Sequence, residues 1–500
     1  MSRITSGLCV ALIIAVCLAG TAAAQTENLY FGGSAYAEGA IGSVFVHEVE
    51  VVNTSGTSET FRMYWLPRNQ DNTSAVFVDV QVDPGRATRF ENVLFDLFGL
   101  TPGAVGSLRV IPSSADLRFN STVINVSDAG TYGQIMPAVP ESAALSENET
   151  AYILHLGEDS FRRTNLLCVN TTGIHITLEI DLFSSDGTLL QENVSLILQP
   201  FSNTQLNQVF NLHAPVDGFL RLDTATPGGR GICFAAVVDN IANDPRTEPA
   251  VRAADAAVEY YVPYVAGTST EVTDIALFAP DGAATARIDL LRTGIDNTVH
   301  LTWPVAVPAG EQFDIVDLID DVFAHTGTGA LRITTTSGEI LASSQTATLL
   351  APGERPRSIP PVATEDQMAD GEAGLLIYLT ETTDFQTDLG AVNTSAEVLH
   401  LVFTLHDAAG TVLGSLPLQL LPYSHDQIDG AFTAAGHPNV PDGYATAYTT
   451  TPGGSFIAYA TVTDLRTDHA YHVPMSQVSW LIFADGFESG TTSRWSATSP

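Results

Sequence analysis

A unit of about 224 residues occurs twice along this chain, and that repeat limits the fold more than any local pattern does. Asn170-Thr171 recurs as Asn393-Thr394 and Gly187-Thr188 as Gly410-Thr411, both 223 residues apart. Asp217-Gly218 recurs as Asp442-Gly443, residues 226–229 as 451–454, and Asp239 as Asp464, all at 225. Asp71-Asn72-Thr73 matches Asp296-Asn297-Thr298, and Leu108-Arg109 matches Leu331-Arg332. A drift of two or three residues over so long a span is what loop insertions produce. The chain is a tandem duplication, and its fold must be two copies of one plan.

Within each copy, runs such as residues 44–52, 76–82, 177–183, 193–198, 232–238, 399–405 and 456–462 alternate apolar with polar residues and are rich in β-branched and aromatic side chains. That period of two is the mark of half-buried strands. Turn residues punctuate them, as at Ser185-Asp186-Gly187, Pro227-Gly228-Gly229 and Pro452-Gly453-Gly454. Many short strands with such turns predict an all-β chain of packed antiparallel sheets. Proline-rich joints at 136–140 and 359–361 divide each copy again. Each half leads through strands to one short amphipathic helix. Phe90, Val93, Leu94, Leu97 and Phe98 carry its apolar stripe in the first half, and Ile315, Leu318, Ile319, Val322 and Phe323 in the copy. Shorter versions are expected over residues 205–210 and 427–432.

The reading is therefore four tandem immunoglobulin-like β-sandwich domains arranged as a duplicated pair, each with one short helix. Sandwich A covers residues 34–138, B 139–250, A′ 259–362 and B′ 363–475. Residues 25–33 form an N-terminal segment, 251–258 a linker and 476–500 a C-terminal tail. Residues 1–24 read as a signal peptide: Arg3, an apolar run over 8–19, then Ala22-Ala23-Ala24 before Gln25. That run is shorter than the roughly 20 residues of a membrane span, and nothing downstream approaches one. An exported chain without a transmembrane anchor is expected.

The charge excludes whole classes of activity. All 20 basic residues are arginine, against 56 acidic ones, for a net charge of −36. Without lysine there is no P-loop lysine, no Schiff base and no Ser-x-x-Lys pair. So acidic a surface repels phosphate backbones, so no nucleic-acid partner is expected. Export leaves Cys168 and Cys233 in a compartment that permits disulfides. The positions aligned with them in B′ are Ala391 and Ala458, both cysteines being absent together, as expected of a bridge. Eight Asn-x-Ser/Thr triplets, among them Asn53, Asn72 and Asn120, read as chance products of a chain rich in Asn, Ser and Thr.

Three stretches carry a resemblance: Gly130-Thr131-Tyr132-Gly133-Gln134 before Pro137, residues 164–170, and Val237-Val238-Asp239-Asn240 before Asp244-Pro245. In their order they resemble secreted bacterial proteins of unassigned role built from tandem immunoglobulin-like sandwiches. B′ departs from the last pattern, with Val462-Thr463-Asp464-Leu465 and no Asp-Pro step. The ending Asp485, Gly486, Phe487, Glu488, Ser489, Gly490, then Ser493 and Trp495, resembles a short C-terminal tail found on exported proteins of Gram-negative bacteria. The resemblance implies an extracellular, cell-surface or periplasmic location and contact between the tail and sorting machinery. It brings no catalytic residue.

No other motif supplies chemistry. There is no nucleophile elbow and no zincin helix, and His47-Glu48 opens a strand. His469 and His472 flank Tyr471 where a surface loop could offer both to a metal, but no carboxylate accompanies them. Asp320-Asp321 sit opposite the apolar stripe and read as a solvated face, not a glycosidase pair. No cofactor is expected; calcium is the one ion that the oxygen-rich composition leaves open, without an Asp-x-Asp-x-Asp-Gly loop to hold it. Tyr260, Tyr261 and Tyr264, and Tyr64-Trp65, read as core or interface before sugar platform, since Phe61, Met63 and Trp65 share one face. The expected function is a secreted or surface non-enzymatic scaffold. The alternatives are an adhesin-like array binding a carbohydrate or protein ligand and, third, a hydrolase with an unrecognised site.

Overall fold

The computed structural model describes residues 26–39, 43–128, 130–241, 243–350 and 353–478. Residues 1–24, read above as a signal peptide, and the tail motif at 485–495 lie outside the described residues. The chain is all-β and forms four tandem β-sandwiches with a few short helices. In A the eight strands are Leu29–Glu38, Val44–Asn53, Glu59–Pro67, Phe77–Val82, Ala87–Phe90, Ala104–Pro112, Leu117–Ser127 and Gly130–Ile135. One layer runs fourth–third–sixth–first and the other fifth–second–seventh–eighth. B, A′ and B′ repeat that order strand for strand, which is what a duplication requires. In A and A′ the first strand also pairs with the second near their shared turn, as at Ala37↔Phe45, so the two layers join into one nine-stranded sheet.

Alternation does what the sequence predicts: Phe61, Met63 and Trp65 are buried together inside A. Three helical turns follow the fifth strand, Val93–Asp96 in A, a π-helical Leu318–Val322 in A′ and Ala431–Ala434 in B′. They are shorter than the stripes predicted, because Phe90, Ile315 and residues 427–428 belong to the preceding strands. B has no helix there. Asn203–Leu206 is a strand, Gln208 takes a positive φ, and Glu158 accepts from the Phe210 N–H at 3.1 Å, so the segment turns instead of winding.

The joints are structured. Val251–Arg252, within the expected linker, pairs with Ala151 and Tyr152 of B, and a 3₁₀ turn over Ala253–Asp255 leads into A′. Ser476–Val478, expected to belong to the tail, pairs the same way with Ala373–Leu375 of B′. Leu29–Glu38 begins inside the expected N-terminal segment and buries Tyr30 and Phe31 completely.

Four apolar clusters fill the sandwiches, and four more lie between them. Tyr30, Leu66, Val169 and Ile232 join A to B; Leu154, Phe219, Phe278 and Leu341 join B to A′. Tyr261, Leu291, Val392 and Ile457 join A′ to B′. Val52, Ala87, Leu375, Ile377 and Tyr444 join B′ back to A. The four sandwiches thus close into a ring, with the two halves related by a pseudo-twofold axis. Equivalent bonds prove the equivalence. Gln312 N–H donates to Ser185 O at 2.8 Å between B and A′, and Ala87 N–H to Ala408 O at 3.0 Å between B′ and A. Asn72 docks A on B by donating through its side chain to Phe201 O, and Asn297 docks A′ on B′ by donating to Tyr423 O. Two of the matched turns are docking elements: residues 71–73 with their copy 296–298, and Gly187-Thr188 with Gly410-Thr411.

Candidate functional site

The eighth strands, Gly130–Ile135, Pro245–Pro249, Glu354–Ser358 and His469–Pro474, meet around the ring axis. Thr247 Oγ1 donates to Ile135 O at 2.9 Å, and Ser358 Oγ to Thr247 O at 2.6 Å. Each of these strands is a sheet edge. Pro137, Pro249, Pro360 and Pro474 end them without an N–H to offer, so four edges gather without pairing onward. With Ile135, Thr247, Ser358 and His472 they line an axial cavity of about 110 Å³. The prolines that divide the sequence into domains also close the centre of the ring.

The two halves share a fold but not an interface chemistry. In A–B, the Phe234 ring of B lies on Gly32 of A, beside Gly33, Met136 and Leu167. In A′–B′ the positions of Gly32 and Gly33 hold Pro263 and Tyr264, so a ring cannot lie there. The counterpart of Phe234, Tyr459, lies over Gly390 of its own sandwich, which stands where B has Leu167, with its ring 5.9 Å from that of Tyr264 of A′. The exchange leaves a polar constellation. Tyr264 donates to Glu271 at 2.7 Å, and Arg357 donates to the other oxygen of Glu271 at 2.6 Å. Tyr459 Oη meets His425 Nε2 at 2.7 Å, and His425 Nδ1 meets Thr293 Oγ1 at 2.8 Å. Burial opposes ionisation of Glu271, but Arg357 and the Tyr264 hydroxyl hold it below the ordinary carboxylate range. Burial also pushes the Tyr264 phenol up. The hydroxyls, the imidazole and the carboxylate satisfy one another, and none is a nucleophile beside a free base.

Two clefts lie on either side of Leu349 and Leu350 of A′. The first, about 460 Å³, lies between B and A′ and is lined by Asp159, Phe161, Arg162, Asp239, Ile241 and Glu354 among others. The second, about 400 Å³, lies between A′ and B′ and carries Tyr264, Glu271, Arg357, Asp388, Gln427 and Asp468. Burial, with Asp274 and Asp239 nearby, raises Glu354 above its ordinary value, and burial raises Asp388.

The residues singled out in the sequence fall as follows. Cys168 and Cys233 form a disulfide between directly paired positions of neighbouring strands, with Cα atoms 4.1 Å apart. Their B′ counterparts Ala391 and Ala458 are paired in the same register. The bridge closes a loop of 65 residues, and replacing both cysteines with alanine is expected to cost about 2–4 kcal/mol in urea unfolding. His469 and His472 lie in a strand, not a surface loop, and both are buried. A spacing of three on a strand sends them to opposite faces: His469 Nδ1 meets Asp244 at 3.0 Å, and His472 stacks on Tyr459. His47 is buried between the hydroxyls of Ser34 and Ser121. Tyr260, Tyr261 and Tyr264 are buried, while Asp320 and Asp321 face solvent. Among the described residues no group of three or more His, Cys, Asp or Glu side chains could hold a metal ion. Of the Asn-x-Ser/Thr triplets, Asn53, Asn170 and Asn393 are fully buried, and each donates its amide to backbone carbonyls after the second strand. They shape a turn and offer nothing to a glycan.

Sequence reading missed the Gly390 and Tyr459 exchange and the Arg89–Glu50 pair of A, which reaches Thr380 and Tyr378 of B′. The signal for the first is a glycine inside a buried strand, which marks close approach by another group.

No family model matches the chain, and no curated protein matches it. Among solved structures, Escherichia coli alpha-2-macroglobulin activated by porcine elastase is similar over 91% of this chain and 43% of its own, at 10% identity and a TM-score of 0.10. The native conformation of that Escherichia coli protein is matched over 89% and 29%, at 11% identity and 0.10. The chain spans less than half the length of these proteins, and likeness at that score carries no argument. No helix among the described residues is long and apolar enough to cross a membrane.

Proposed function

We propose that the chain is an exported, non-enzymatic scaffold, held outside the cell or at its surface, whose closed ring displays the clefts between its sandwiches in fixed geometry. The observation that carries this reading is the closure of B′ onto A. A row of sandwiches bends at its joints, whereas a ring fixes all four at once, and several of its buried polar side chains hold sandwich to sandwich. Glu50 of A accepts from Tyr378 N–H of B′ at 2.7 Å, and Gln312 of A′ accepts from His155 N–H of B at 2.8 Å. An adhesin-like array is the second reading, favoured by the chemistry that sets the A′–B′ cleft apart from A–B.

Localisation tests the scaffold reading. The full chain and a chain ending at Val478 are produced in a Gram-negative host and followed by fractionation. The full chain is expected at the surface or in the medium. The shortened chain is expected to accumulate elsewhere with its Tm changed by no more than about a degree. A full chain that keeps residues 1–24 and stays in the cytoplasm refutes export. An unchanged location for the shortened chain refutes sorting by the tail.

A further inference from the structure

The four eighth strands bring equivalent residues to the ring axis, and one of the four is left without a partner. Ile135, Thr247, Ser358 and His472 each stand two residues before the proline that ends their strand, and all four line the axial cavity. Thr247 Oγ1 donates to Ile135 O and Ser358 Oγ to Thr247 O, so two of these side chains stitch neighbouring strands together. His472 does not continue the series. Its ring stacks on Tyr459 with centroids 5.2 Å apart, and it is only 4% exposed. Its Nδ1 is buried with no hydrogen-bond partner among the described residues. Gln134 Oε1, from the same wall, is buried without a donor in the same way. Buried polar atoms left so cost stability until something bonds to them.

The cavity sets the size and charge of what can bond there. Prolines with Ile135, Ala470 and Tyr471 make most of its wall. An apolar cavity of about 150 Å³ holds one benzene, so about 110 Å³ admits a single ring. The two arginines that line it, Arg246 and Arg357, are engaged by Glu248 and Glu271. The imidazole is neutral, held down to about 3 by burial and by Arg357. With no free charge to bind an ion, such a wall takes a neutral molecule, and its few polar groups take that molecule's one polar atom. A hydroxyl answers them best, because it both donates and accepts. Pro137, Pro249, Pro360 and Pro474 are exposed, one in each sandwich, which leaves a way in between them.

We propose that the axial cavity is a binding site for a small neutral phenol, its ring held among the prolines and its hydroxyl bonded to His472. The site does not draw on the display role above. Its test reads a bound molecule where that role is read by location, so either can fail alone.

The probes are phenol and benzene, titrated separately into the full mature chain by calorimetry near neutral pH. Phenol is expected to bind with a Kd of about 1 mM or tighter, and benzene several-fold more weakly. His472→Phe keeps a ring on Tyr459 and removes the unpartnered nitrogen, so its Tm is expected to equal or exceed that of the parent. It is expected to weaken phenol about tenfold and to change benzene little. Ile135→Phe puts a ring of its own into the cavity and is expected to abolish binding of both. The proposal is overturned if phenol does not bind. It is overturned too if the parent binds phenol and benzene alike, since the imidazole would then be satisfied by water. Phenol binding that survives Ile135→Phe also overturns it. If that binding is still lost in His472→Phe, the ligand lies in the neighbouring pocket of about 260 Å³ that His472 and Pro474 also border.

Discussion

Acidification below pH 6.5 is expected to draw stability out of this fold through three histidines. His47, His425 and His472 are held down to about 3 by burial, His472 also by Arg357. In the unfolded chain each titrates near 6.5. Above that pH neither state binds the proton, and the histidines contribute no pH dependence. Between about 6.5 and 3 the unfolded state binds one more proton per histidine, so stability falls by about 1.4 kcal/mol per pH unit for each. Near pH 3 the loss reaches about 5 kcal/mol per histidine. Buried carboxyls act the other way. Burial raises Asp314 to about 6, and it also raises Glu48, Glu248 and Asp388. They take up protons first in the folded state and return stability as pH falls through that range.

Because these slopes oppose each other, the sharp measurement is a difference. His47→Gln keeps a donor and an acceptor between Ser34 and Ser121, which lie 2.8 and 2.9 Å from the imidazole nitrogens. The variant is expected to be less stable at pH 7. Its deficit is expected to shrink by about 1.4 kcal/mol for each unit below pH 6.5, read by urea unfolding at pH 7, 6, 5 and 4. Parallel curves for parent and variant would show that His47 takes its proton in the folded state.

The strands, the duplication and the bridged cysteines could be read in the sequence because each is a pattern among near neighbours or between copies. Alternation marks Phe61, Met63 and Trp65, and the absence of both cysteines from B′ marks Cys168 with Cys233. The ring could not be read. Its closing contacts, such as Ala87 N–H on Ala408 O, join residues whose spacing matches no repeat. The chemistry of the A′–B′ cleft was hidden by a change of offset. Tyr30 pairs with Arg109 as Tyr261 pairs with Arg332, a step of 231 residues and not 225. The end of the first strand and the turn after it are longer in A. A constant offset therefore started A at residue 34 and left Gly32 and Gly33 unaligned with Pro263 and Tyr264. With that alignment lost, Gly390 showed only as a glycine in a strand, with no ring to explain it.

Arg89→Met is expected to weaken the ring at its one seam that no peptide link crosses. The Arg89 guanidinium donates to Glu50 of its own sandwich at 2.8 Å and to Thr380 of B′ at 2.7 Å. It lies 3.0 Å from Asp442 and 4.3 Å from the centre of the Tyr378 ring. Glu50 is fully buried. Methionine keeps the apolar stem but leaves that carboxylate without its counter-charge, a loss of about 3–5 kcal/mol when a buried pair is broken from one side. The B–A′ seam meets the equivalent need with neutral groups, Gln312 accepting from His155 N–H where Glu50 accepts from Tyr378 N–H. Glu50→Gln added to Arg89→Met should therefore recover most of the loss, since the amide oxygen still serves the Tyr378 N–H and the fully buried position 50 no longer carries a charge. Chemical unfolding of the two variants separates the causes. A loss below about 1 kcal/mol for Arg89→Met would mean that apolar packing of Val52, Ala87, Leu375 and Tyr444 holds the seam by itself. A full loss that Glu50→Gln does not repair would mean that the bonds from Arg89 to B′, and not the stranded carboxylate, are what the ring needs.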